Sequence, residues 1–102
     1  MVETPIIERI DADLEELIER FFAGSRRDVE AMQAALAAGD FSTLIRLGHT
    51  AMGTGYGYGF RGMGAIGRAL ENAAQAGDHA ESSAQVERMA RYLATVRVEY
   101  VN

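Results

Sequence analysis

The stretch Gly39-Asp40-Phe41-Ser42-Thr43-Leu44-Ile45-Arg46-Leu47-Gly48-His49-Thr50-Ala51-Met52-Gly53-Thr54-Gly55-Tyr56-Gly57-Tyr58 decides how the rest of the chain is read. Gly39 suits the end of one helix, and Asp40 or Ser42 can cap the next by accepting its free amide groups. From there Leu44, Leu47, Ala51, Gly55 and Tyr58 recur at three- and four-residue steps, the spacing of one buried stripe on an α-helix. Residues 42, 45/46, 49, 52/53 and 56 then share a different face, so His49 should point to solvent.

The same periodicity extends in both directions. Upstream, Ile10, Leu14, Leu17/Ile18 and Phe21 form one series and Val29, Met32 and Leu36 another. Gly24-Ser25 separates them, and Ser25 with Asp28 three residues on could start a new helix, so one kinked helix and two short ones both fit. The single proline, Pro5, can precede or open a helix. Downstream, after a turn near Gly57 to Gly62, a stripe runs through Met63, Ile66/Gly67, Leu70 and Ala73/Ala74. Gly77-Asp78, with Glu81 three residues later, repeats the stop-and-cap signal. A last helix carries Val86, Met89/Ala90, Leu93, Val96 and Tyr100. No segment alternates with period two for long, so no strand is expected. The fold class that follows is all-α: an antiparallel four-helix bundle with an additional short N-terminal helix or a kinked first helix.

Composition sets the frame. The 102 residues suit one domain, 1–102, with 48% hydrophobic and 25% charged residues. There is no cysteine, which excludes disulfides and thiolate metal sites. Glu3, Glu8 and Arg9 interrupt the apolar residues of the N-terminus, so a signal peptide is not expected, and no window resembles a membrane span. A cytoplasmic location follows as an expectation. The net charge of −5 argues against nucleic acid, and Arg26-Arg27 and the Glu15/Glu16/Glu19 group read as solvated faces. No His-x-x-x-His or carboxylate–histidine set suggests a metal.

Eight of the eleven glycines lie between Gly48 and Gly67. In a helix each costs about 1 kcal/mol relative to alanine, yet the apolar period continues on both sides, which favours helix–turn–helix with closely approaching backbones. Gly57 to Gly62 and Gly62 to Gly67 both match G-x-G-x-x-G formally. That motif cradles a pyrophosphate only after a buried strand, and Leu44 to Met52 reads as helix. No lysine lies near these glycines either.

The two histidines differ. His79 follows Asp78 at a helix start and reads as an ordinary surface residue. His49 has Gly53 one turn on, which leaves its ring uncrowded, and Arg46 three residues back, which brings a positive charge onto its face. Here the chain resembles the histidine-containing phosphotransfer (Hpt) domains, which carry H-x-x-K-G and a further glycine ten residues after the histidine. The matching residues are His49-Thr50-Ala51-Met52-Gly53 and Gly59, followed by Leu70-Glu71. Upstream, Ala35 to Asp40, Leu44, Leu47 and Phe21 or Phe22 also fit, so the likeness spans about residues 11 to 100.

The resemblance implies a stoichiometric phosphocarrier without an ATP site: His49 accepts a phosphoryl group from a receiver-domain aspartate and passes it to another receiver. It also implies response-regulator receiver domains and a hybrid histidine kinase as partners, Mg²⁺ on the receiver and no cofactor on this chain. Ile45, Arg46, Met52, Gly53 and Tyr56 would surround the phosphate or dock the receiver. One departure stands out, because the family's lysine is Met52 here. A cation about 4 Å from the phosphate near a surface is worth about 1–4 kcal/mol, so its loss should slow transfer or weaken the phosphorylated state. Arg46 could stand in. The competing reading is a degenerate bundle that docks receivers or dimerises without carrying phosphate. A monomer is expected, and Met1 at the start favours a free-standing carrier.

Overall fold

The computed structural model describes residues 5–102. Met1 and Glu3, which entered the reading of the N-terminus, lie outside the described residues. Strand β1 (Ile7–Asp11) leads through a single 3₁₀ turn (Ala12–Leu14) into four helices, α1 (Glu15–Ala38), α2 (Phe41–Tyr58), α3 (Arg61–Gln75) and α4 (His79–Thr95). Strand β2 (Arg97–Val101) follows and pairs in parallel with β1. The bundle is the all-α architecture that the periodicity predicts, and no described helix is long and apolar enough to cross a membrane.

The helix boundaries follow the capping chemistry. Asp40 caps α2 by accepting from the Thr43 amide at 3.1 Å and from the Thr43 hydroxyl at 2.6 Å. Asp78 caps α4 by accepting from the Glu81 amide at 3.0 Å. Gly39 and Gly59 end α1 and α2 at φ 65° and 93°, left-handed values that side chains avoid. The turn between α2 and α3 is therefore only Gly59-Phe60, tighter than expected. Phe60 is fully buried there and stacks on Phe21 at 5.0 Å, with Phe22 edge-on at 5.3 Å. Burying one such ring contributes about 1.5–3 kcal/mol.

Three readings are resolved or corrected. Helix α1 is one unbroken helix across Gly24-Ser25, and Ser25 caps nothing. Ile18, Val29, Met32 and Ala35 stay on one buried stripe through that point, with Phe21 and Phe22 packed against the core. The packing outweighs the roughly 1 kcal/mol cost of the glycine. The second correction concerns Ile10 and Tyr100, which lie on strands and not on the first and last helices. The third follows from it: a small sheet exists, and Pro5 and the 3₁₀ turn stand where a short helix was expected. Residues four apart fall on the same side both of a strand and of a helix, so Ile10/Leu14 and Val96/Tyr100 fit either period.

The sheet also explains a residue that periodicity left unused. Glu8 on β1 is buried, and its Oε2 accepts hydrogen bonds from the Gly62 amide at 2.7 Å and the Tyr92 hydroxyl at 2.6 Å. The carboxylate thus supplies the missing cap at the start of α3, where Phe60 offers no side-chain oxygen. Burial and the adjacent Glu8 carboxylate push the Tyr92 phenol well above its usual pKa.

Candidate phosphotransfer site

Helix α2 presents His49 because its buried stripe lies elsewhere. Leu44, Leu47, Gly48, Ala51 and Gly55 are buried, Tyr58 is half-buried, and His49 is exposed over 67% of its side chain. Its Nδ1 lies 3.0 Å from Glu71 Oε2 on α3. A carboxylate only accepts, so Nδ1 carries the hydrogen and donates it. In the neutral ring this tautomer leaves the lone pair on Nε2, which has no hydrogen-bond partner among the described residues.

The glycines bring Glu71 within reach. A Cβ placed on Gly48 would stand 2.8 Å from the Glu71 amide nitrogen and 3.0 Å from the Gly67 carbonyl oxygen. One on Gly67 would stand 2.5 Å from the Met52 nitrogen and 2.8 Å from the Gly48 oxygen. One on Gly55 would stand 2.6 Å from the Gly64 nitrogen. The two backbones touch at positions where even alanine does not fit. Glu71, one turn beyond Gly67, therefore meets His49, the neighbour of Gly48, with only 15% of the glutamate side chain exposed.

The other residues of the predicted face divide into two groups. Arg46, Gly53 and Tyr56 are exposed together with His49, whereas Ile45 and Met52 are half-buried. A Cβ on Gly53 would meet nothing within 4 Å, so the space beside the imidazole is open. Tyr56 is 48% exposed, but its ring lies over Gly64, where an added Cβ would come within 2.7 Å. Tyr56 thus both packs on α3 and contributes to the exposed surface. Hydrogen bonds from Thr43 and the positive charge of Arg46 hold the Asp40 carboxyl below the usual carboxylate range. Arg46 therefore acts electrostatically on the α2 cap.

His79 behaves differently. Its Nε2 donates to the Leu36 carbonyl at 3.2 Å and its ring stands edge-on to Phe41 at 6.4 Å. That nitrogen pins the end of α1 to the start of α4. The formal dinucleotide fingerprints fall on the α2–α3 turn and on α3, with no strand before them. Among the described residues no cluster of three or more His, Asp or Glu could hold a metal. A groove between α1 and α4, lined by Gln33, Leu36, Val86 and Ala90, includes none of the face around His49.

The arrangement is an exposed imidazole whose Nδ1 donates to a carboxylate on the neighbouring helix of a four-helix bundle. A family profile described as the Hpt domain matches residues 16–99, and the chain belongs to that family. Its role is accordingly of the phosphotransfer type in two-component signalling, and Hpt domains in general interact with receiver domains and histidine kinases without kinase machinery of their own. No curated protein and no solved structure matches the chain. Glu71 belongs to the Leu70-Glu71 pair of the family likeness, but the sequence alone gives it no task. The signal available was the conjunction of Gly48 and Gly67, which brings two helices close enough for a side chain on one to reach the other.

Proposed function

We propose that the chain accepts a phosphoryl group on Nε2 of His49 from a receiver-domain aspartate and hands it to a second receiver. The observation that carries this reading is the 3.0 Å contact between Nδ1 and Glu71, with Nε2 left open. In the transfer, the Nε2 lone pair attacks phosphorus in line. The N–P bond forms as the P–O bond to the aspartate breaks, and the electron pair leaves with the aspartate carboxylate. The ring gains positive charge, which the Glu71 carboxylate offsets through the Nδ1 proton. Mg²⁺ on the receiver would offset charge on the phosphoryl oxygens, and this chain would contribute position and one oriented nucleophile.

Arg46, Met52, Gly53 and Tyr56 would form the face that meets the receiver, with Ile45 at its edge. Gly53 leaves room beside the imidazole. Half-buried Met52 offers apolar contact where the family has its cation, and Arg46 is the cation on the same face. The test is incubation of a labelled, phosphorylated receiver with the wild type and with His49→Gln. Acid-labile label on the wild type alone is the expected result. Receiver binding by both proteins with label on neither would instead establish a docking module.

A further inference from the structure

Strand β2 has one edge with which no described strand pairs. The sheet has two strands only. The outer edge of β1 runs past the α2–α3 turn: a Cβ on Gly59 would lie 3.6 Å from the Arg9 carbonyl oxygen, and Glu8 reaches Gly62. Among the described residues no strand pairs with the far side of β2. The Arg97 amide donates to the Ile6 carbonyl at 2.9 Å, so residues 97, 99 and 101 direct their backbone groups towards β1. In a parallel ladder the alternate residues then direct theirs away. Val98 and Tyr100 consequently direct their N–H and C=O groups away from β1, and Tyr100 and Val101 expose 39% and 40% of their surface. A parallel pair of five-residue strands with such an edge is a template for another strand.

The side chains select the strand that fits. The sequence Val96-Arg97-Val98-Glu99-Tyr100 is complementary to itself when run antiparallel about Val98. Val98 then lies opposite Val98 of a second copy and exchanges both backbone hydrogen bonds with it. Arg97 lies opposite Glu99 of the second copy, and Glu99 opposite its Arg97. Tyr100 lies opposite Val96 of the second copy and donates its amide to that carbonyl; the Val96 amide is already committed to Tyr92 within the helix end. The register centred on Glu99 would instead set two glutamates face to face, which opposes pairing. Glu99 also lies 3.8 Å from Arg9, so each glutamate in the Val98 register is flanked by two guanidinium groups.

The geometry points to a second copy of this chain as the occupant: two molecules join β2 to β2 about a two-fold axis through Val98, forming a four-stranded sheet in the order β1-β2-β2-β1. The contact is small and lies in the range of weak, reversible association. It is an alternative to the monomer expected from the sequence and is independent of the phosphocarrier reading, because neither Arg97 nor Glu99 belongs to the His49 face.

Sedimentation equilibrium of the full chain at low salt, from about 10 μM to about 1 mM, tests it. The wild type should show a concentration-dependent shift from monomer to dimer. Arg97→Glu and Glu99→Arg should each weaken that association about tenfold or more. An equimolar mixture of the two should restore it, since every 97–99 contact in the mixed dimer is again oppositely charged. Both positions are exposed, and far-UV circular dichroism of each variant checks that the fold is retained. A wild type that stays monomeric to about 1 mM, an Arg97→Glu variant that associates as the wild type does, or a mixture that fails to associate would each overturn the assignment.

Discussion

Two carboxylates accept hydrogen bonds of similar length in two regions of the molecule. In the middle of the bundle Glu71 takes one from His49 at 3.0 Å. At the sheet end Glu8 takes one from Tyr92 at 2.6 Å and another from the Gly62 amide at 2.7 Å. The difference lies in the donors. Tyr92 is 4% exposed and has one hydroxyl, so its bond can only hold β1, α3 and α4 together. The His49 side chain is 67% exposed and has a second nitrogen, so in the proposed transfer its bond to Glu71 would orient the lone pair that attacks phosphorus.

The largest effect is expected at the glycines that bring α2 and α3 together. Gly67→Val would drive a side chain into the Met52 nitrogen and the Gly48 oxygen, backbone atoms that have no alternative rotamer. A loss of about 3 kcal/mol is expected, seen as a melting temperature lower by ~15 °C. An unchanged melting temperature would mean that α2 and α3 separate at little cost.

Tyr92→Phe tests the enclosed carboxylate. It removes one of two donors to buried Glu8 and should lower stability by about 1–2 kcal/mol at neutral pH, with phosphate acceptance unaffected. The alkaline limb gives a second signature. Because the folded state raises the Tyr92 pKa, the unfolded chain loses that proton first, near its reference value of ~10. The stabilisation is whole below that pH and falls as the pH climbs above it, by about 1.4 kcal/mol per unit. Denaturant titrations of the two proteins should therefore converge above that pH, and parallel curves would contradict the buried hydroxyl–carboxylate bond.

Glu71→Gln sharpens the contrast, since it should change transfer far more than stability. The exposed donor makes the stability change less than about 1 kcal/mol. Loss of the charge that offsets the imidazolium should slow phosphoryl transfer about tenfold, measured as single-turnover acceptance from a phosphorylated receiver. Equal transfer rates would reduce Glu71 to a packing residue. The smallest effect is expected from Met52→Lys, which restores the cation found in other Hpt domains. An exposed pair is worth about 0.2–1 kcal/mol, so the half-life of the phosphorylated state should lengthen by no more than about fivefold.

Much of this was legible in the chain because most of the structure is local. The stripe from Leu44 to Gly55, the Asp40 and Asp78 caps and the exposure of His49 all follow from spacing within single helices. What lay hidden depends on residues far apart. Glu8 reads as a solvated charge until Gly62 and Tyr92 stand beside it, and its polarity masks the period-two pattern of β1. The strands pair the two ends of the sequence, and a period of two over Val96, Val98 and Tyr100 is easily absorbed into a helical one. The tie between His49 and Glu71 needs the backbone contact between Gly48 and Gly67, which no one-helix argument can supply.

If Glu71 holds Nδ1 so that Nε2 is the nucleophile, the two ring nitrogens of His49 must differ before and after transfer. Long-range ¹H–¹⁵N spectra of the histidine rings, recorded before and after phosphorylation by a receiver, read both nitrogens directly. The account predicts an Nδ1–H tautomer for free His49, phosphorus on Nε2 after transfer, and an unmodified His79. Phosphate on Nδ1, on His79 or on neither ring would contradict it.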